Sequence, residues 1–143
     1  MKRLIILLTI LLPMSAIAQE ITFDSLFKEY STKENCTTIN ISNAMLRSME
    51  VNIDADYMQV IAVENSTLIP SFNSQAKEVL SKHEVIMSVN SNNKSVEICQ
   101  DKNSNGMVTA IYVLVCDDGE GVLMHITGKN LELNNIGSII NQF

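Results

Sequence analysis

The run Met107-Val108-Thr109-Ala110-Ile111-Tyr112-Val113-Leu114-Val115-Cys116 constrains this chain more than any other stretch. Successive side chains of a strand point to opposite faces. Here both faces are apolar, with Val108, Ala110, Tyr112 and Leu114 on one and Ile111, Val113 and Val115 on the other. Such a segment is a central strand covered on both sides, or one that partly faces another surface. A chain of 143 residues has room for one domain around it and little more.

The flanking patterns supply neighbours. Val85, Met87 and Val89 alternate, as do Val96 and Ile98, with Asn90-Ser91-Asn92-Asn93 as a turn between them. Asn103-Ser104-Asn105-Gly106 turns into the central run, and Asp117-Asp118-Gly119-Glu120-Gly121 turns out of it into a strand from Val122 to Thr127. Upstream, Tyr57 to Val63 reads as a well-filled strand and Thr37 to Ile41 as a short one. Helical periods dominate the first half. Thr22 caps a helix with Phe23, Leu26, Phe27 and Tyr30 on one stripe, and Ser42 caps a second with Met45, Leu46 and Met49 inward. Pro70 opens a third, with Phe72, Ala76, Val79 and Leu80 sharing a face. A last helix from about Leu131 places Ile136, Ile139, Ile140 and Phe143 at helical spacing. The expected class is α+β: one two-layer domain, a mostly antiparallel sheet with helices packed on it.

Residues 1–18 stand apart from this pattern. Lys2-Arg3, the apolar run Leu4 to Leu12, Pro13, and the small residues Ala16 and Ala18 make the three parts of a secretory signal. Cleavage between Ala18 and Gln19 leaves residues 19–143 as the single mature domain, periplasmic or secreted. The apolar run is too short for a membrane span, which takes roughly 20 residues. Gln19 stands where a lipid-anchored protein needs cysteine, so no lipid anchor is expected.

Losing Lys2 and Arg3 leaves 8 basic against 16 acidic side chains, a formal charge near −8. A phosphate backbone offers such a surface mainly repulsion, so nucleic acid is not an expected partner. Three cysteines are an odd set for an oxidising compartment, so at least one is free or pairs outside the chain. Cys99 and Cys116 lie in apolar runs and read as buried thiols, with an internal disulfide as the alternative. Cys36, in the more polar Glu34-Asn35-Cys36-Thr37, is the candidate for a reactive or intermolecular thiol.

The residues that carry chemistry are sparse. Asp101-Lys102-Asn103-Ser104-Asn105-Gly106 matches the first half of an EF-hand loop, but Tyr112 stands at position 12, where a bidentate carboxylate is due. A hairpin turn accounts for the same residues. The carboxylate clusters, Asp54 with Asp56 and Asp117 with Asp118 and Glu120, sit in polar or glycine-rich turns. His83 follows Lys82 at a helix end and reads as exposed, whereas His125 shares a strand face with Leu123 and Thr127. No GxSxG, Walker or GxGxxG pattern is present. No catalytic, cofactor-binding or metal residue is assigned, and no cofactor is expected.

Several segments together resemble a known family. They are Phe27-Lys28-Glu29-Tyr30, Ile39-Asn40-Ile41-Ser42-Asn43-Ala44-Met45, Glu84-Val85-Ile86-Met87-Ser88-Val89, Val96-Glu97-Ile98-Cys99, and Val122 through Ile136. The chain resembles an exported family of domains of unknown function (number 4252) common in Bacteroidetes. The resemblance implies a compartment and a fold, and no activity. Two departures are the absent cleavage-site cysteine and Ala110 where an acidic residue is expected to open the central strand.

The expected function is a non-catalytic exported binding or protein-interaction module of the envelope, its partner another envelope protein or a second copy of itself. The alternatives are a small periplasmic hydrolase using His125 and a nearby carboxylate, or a carrier whose cavity is lined by Met45, Met49, Met58 and Met87. A hydrolase requires a concave pocket that holds His125 with an acid in hydrogen-bond reach.

Overall fold

The computed structural model describes residues 20–49 and 54–134. The expected signal peptide lies outside them, as do Ile136, Ile139, Ile140 and Phe143 of the expected last helix. The described elements are α1 (Phe23–Tyr30), β1 (Cys36–Ser42), α2 (Asn43–Ser48), β2 (Ala55–Val63), α3 (Ile69–Leu80), β3 (Glu84–Ser91), β4 (Lys94–Lys102), β5 (Val108–Cys116) and β6 (Gly121–Gly128). The class is α+β, and the sheet is antiparallel throughout, in the order β1-β2-β6-β5-β4-β3. No helix among the described residues is long and apolar enough to cross a membrane.

The doubly apolar strand is β5, and it lies at the centre beside β6. Its two faces enter two separate cores. On the first face Tyr112, Leu114 and Cys116 pack with Leu123, Ile61 and Val63 beneath α1 and α3. On the second, Ile111 and Val113 pack with Met124, Ile126, Val60 and Met58. The short helix α2 reaches this second face through Leu46, and Leu131 joins it near the end of β6.

Local chemistry sets the helix boundaries. Thr22 and Ser25 form a reciprocal capping box at the start of α1, each side-chain oxygen accepting from the other residue's backbone N–H at 3.1 and 3.0 Å. Pro70 sits in the first turn of α3, where its missing N–H costs nothing. The apolar stripe of α3 is buried as its period predicts, with Phe72, Ala76 and Leu80 fully enclosed. Tyr30 from α1 meets Phe72 edge-on at 5.1 Å and donates its hydroxyl to Gln75 at 2.7 Å.

Three expectations need correction. In α2 only Leu46 is buried; Met45 and Met49 are 55% and 40% exposed, because two turns of helix present a stripe one residue wide to the sheet. Val85, Met87 and Val89 do not share a face. A bulge at Ile86 pairs Val85 with Cys99 but Met87 with Ile98, so Val85 turns toward the helix layer and the other two away from it. As part of an edge strand, all three remain exposed. The four methionines expected to line one cavity are likewise dispersed, with Met58 buried and Met45, Met49 and Met87 at the surface.

Candidate functional site

One cross-strand row of the first face carries unlike residues. Asn40 in β1, Gln59 in β2, His125 in β6, Tyr112 in β5 and Cys99 in β4 are successive partners across the sheet. Strands lie about 4.8 Å apart, so flat rings at directly paired positions can stack. Tyr112 and His125 do so, with centroids 4.4 Å apart and planes 5° from parallel. His83 arrives on the other side of Tyr112 from the turn between α3 and β3, its ring 4.2 Å away. The two histidines of the chain, 42 positions apart, thus sandwich one tyrosine.

Carboxylates surround this stack unequally. His83 Nδ1 donates to Asp101 Oδ1 at 2.6 Å, which keeps a proton on that nitrogen. His125 has no such partner, and its Nδ1 is buried without a hydrogen bond among the described residues. Burial holds the His125 pKa below its ordinary value; Asp24 pulls the other way through space, and His83 adds to the lowering. An orphaned N–H costs more than a bare lone pair, so the proton of neutral His125 belongs on Nε2. Burial, with Asp101, Tyr57 and Asp24 adding to it, pushes the Tyr112 hydroxyl up to about 12, and it stays protonated at neutral pH.

The amino-terminal end of α1 closes over the stack. Phe23 packs on His125 at 5.0 Å between centroids, and Tyr57 meets the same ring edge-on at 6.3 Å. Thr22, Phe23 and Asp24 frame a concavity of about 260 Å³ with His83, Tyr112 and His125. Lys82 lies at its rim, paired with Glu20 and donating to the Ile21 carbonyl at 3.3 Å. A second concavity of about 360 Å³ adjoins the first at Asp24, and Asp56, Tyr57 and Gln59 help to line it. A further hollow of about 390 Å³ lies elsewhere, between the start of α3 and the turns that follow β3 and β5. It holds neither histidine.

The remaining sequence candidates resolve into structure. Gly106 has φ of +78°, and Asn103 Oδ1 accepts from the backbone of Asn105 and Met107 at 2.9 and 3.1 Å. That is a hairpin turn, as the missing twelfth ligand indicated. Asp101, the first residue of the same motif, is the partner of His83 instead. Asp117 Oδ1 caps its own turn, accepting from Gly119 and Glu120 at 2.9 and 2.7 Å. No group of three or more metal-ligating side chains occurs among the described residues. Cys36, Cys99 and Cys116 are free thiols, and Cys99 and Cys116 are buried. Burial first of all pushes both of the buried thiols up to about 11. Burial also raises the Cys36 thiol, against the pull of Lys33, which argues against a nucleophilic thiolate there.

Among the histidines, the expectation for His83 fails. It reads as an exposed residue after a helix, yet its side chain is only 19% exposed and is held by Asp101 and Tyr112. Its position one residue before a strand that neighbours β4 was the available signal. Without the pairing order, nothing tied it to Tyr112.

No curated protein and no solved structure matches the chain. The family model described as a domain of unknown function (DUF4252) matches residues 30–139. That span includes Tyr57, His83, Asp101, Tyr112 and His125, while Phe23 and Asp24 precede it. The chain belongs to this DUF4252 family.

Proposed function

We propose that this is a non-catalytic binding module of the cell envelope, exported by its leader and periplasmic or secreted, with its ligand site at the ring stack. The leader pattern of residues 1–18 and the acidic balance of the rest support that setting. The stack itself carries the reading. Its rings lie flat against one another, and the acid that a general base would need is bonded to His83, while His125 Nδ1 has no partner among the described residues. A hydrolase built on His125 would need that ring free to move a proton between an acid and a substrate. A stacked ring with one orphaned nitrogen suits recognition better.

The sub-case of self-association draws on a separate observation. The edge strand β3 exposes Val85, Met87 and Val89 at 52%, 43% and 48%. Its only charged residue is Glu84, at one end. Unguarded edges of this kind pair with other strands.

One measurement tests both parts: native mass of the protein purified from its own envelope extract, before and after reduction. A mass beginning at Gln19 with a dissociable small ligand supports the module, and a dimer adds the edge contact. Turnover of ester or peptide substrates that is lost in His125→Gln would overturn it in favour of the hydrolase.

A further inference from the structure

We infer that β3 pairs with the β3 of a second copy of this chain, antiparallel about a two-fold axis at Ser88. This rests on the reading of β3 as an unguarded edge and is independent of the ring stack. Among the described strands β3 ends the sheet, and its residues 84–91 hold no proline and no lysine. All but Ile86 are exposed. The opposite edge, β1, is a poorer host: it is mainly polar, with Thr37, Thr38 and Asn40, and its Ile41 is already buried with Leu46 of α2.

The register follows from where each side chain points. Val85, Ser88 and Asn90 face the helix layer, while Glu84, Met87, Val89 and Ser91 face away from it. With the Ile86 bulge passed over in both strands, the two-fold axis sets Met87 against Val89, Val85 against Asn90 and Glu84 against Ser91. Each pair then shares a face. A slip of one residue would turn every pair to opposite faces.

Two properties of this pairing favour a second copy. The first is apolar continuity. Ile39, Val60, Met124, Val113, Ile98 and Met87 form one cross-strand row, apolar from edge to edge of the described sheet. Val89 ends the neighbouring row, which runs back through Val96, Val115 and Val122. Setting Met87 beside Val89 of the second copy joins these rows across the seam, twice by symmetry. It covers side chains that are 43% and 48% exposed in the single chain.

The second is charge. Lys94 stands opposite Ser91 across the β3–β4 hairpin, so Glu84 falls in one row with Ser91 and then Lys94 of the second copy. Strands lie about 4.8 Å apart, and serine is small enough for the acid and the amine to meet over it. Glu84 and Lys94 are exposed and form no ion pair among the described residues. Each end of the seam thus matches opposite charges, and the two Glu84 side chains lie at opposite ends.

Sedimentation of the protein as its own cell processes it, over a concentration series, tests the pairing together with cysteine cross-linking. The expected result is a dimer whose dissociation constant rises about tenfold in Val89→Lys. Lys94→Glu should weaken it about threefold at low salt, and Glu84→Lys combined with Lys94→Glu should restore it. Ser88→Cys should give a reducible covalent dimer, because paired Cα atoms lie about 4.5–5.5 Å apart, within disulfide reach. Asn92→Cys, in the hairpin turn beyond the seam, should not. Circular dichroism checks that the variants fold, since every substituted position is exposed. A dimer weakened by Val89→Lys but not cross-linked through Ser88→Cys overturns the two-fold register and leaves the edge as the interface. A monomer carrying a foreign chain that Val89→Lys releases overturns the second copy and also keeps the edge. A monomer without one, or an assembly indifferent to Val89→Lys, overturns both.

Discussion

The two ends of the helix-covered face differ although the same strands build both. At one end Ile61, Leu123 and Leu114 are successive cross-strand partners, all fully buried in the core that also holds Phe72 of α3. Two residues further along, the same strands place Gln59, His125 and Tyr112 in register. The closed end has no room. A Cβ on Gly121 would lie 2.8 Å from Phe72 Cδ1. The other end holds a buried ring nitrogen and a Thr127 hydroxyl that have no partner among the described residues, and a concavity of about 260 Å³. One sheet thus differs by row, with aliphatic interlock at one end and stacked polar rings, the proposed binding site, at the other.

The largest test of that division is Phe72→Ala. It should lower unfolding free energy by about 3–5 kcal/mol in urea titration. It should do so without altering the relation between His125 and Tyr112. A loss as small as that of a surface substitution would mean that the closed end is not the stabilising one.

Gly121→Ala sharpens the same point from the opposite direction. The added methyl has to displace the Phe72 ring, and overpacking of this kind costs about 1–3 kcal/mol. A variant as stable as the parent would show that the ring has slack.

At the open end, His125→Leu should change stability at pH 7.5 by no more than about 1 kcal/mol, because the stacking lost is offset by removal of an orphaned polar atom. The pH response should change more. His125 has a lowered pKa in the folded protein and an ordinary value of 6.5 when unfolded, so the unfolded state takes up its proton first. Stability from this group is therefore full above 6.5 and is lost as pH falls toward the folded value. Urea midpoints at pH 7.5 and 5.5 should converge in the variant relative to the parent. An unchanged difference would mean that His125 is not the group responsible.

The smallest effect concerns the thiols. A water-soluble thiol reagent should modify Cys36 first, slowly, and reach Cys99 and Cys116 only on unfolding. Rapid labelling of Cys116 in the native protein would show that the closed end opens.

Much of the architecture is legible in the sequence, because periodicity reports which faces are apolar. The double-sided run of β5, the stripe of α3 and the turn at Asn103 all follow from that logic. The exposure of Met45 and Met49 does not, since periodicity names a stripe but not how much of it a two-turn helix can cover. The bulge at Ile86 is equally silent, because one extra residue flips a strand without leaving any composition signal. The site is the least legible part. The face of His125 is readable from its strand, but its stacking on Tyr112 needs the register of β5 against β6. Its meeting with Tyr57 needs β2 to lie beside β6, a pairing between distant segments.

That last pairing has a further consequence for how the molecule comes together. Among the described strands, four of the five interfaces join neighbours in the sequence, β1 with β2 and then β3 through β6 in turn. Only β2 against β6 is long-range, bringing Met58 to Ile126. Local ladders form early, whereas a distant one waits on closure of the intervening loop. The contact of Tyr112 with His125 can arise inside the local meander. Tyr57 reaches the same ring only when the two halves knit along a single seam. A chain that emerges amino terminus first would hold its first two strands waiting for the sixth, with the Tyr57 side of the ring stack absent until the seam closes.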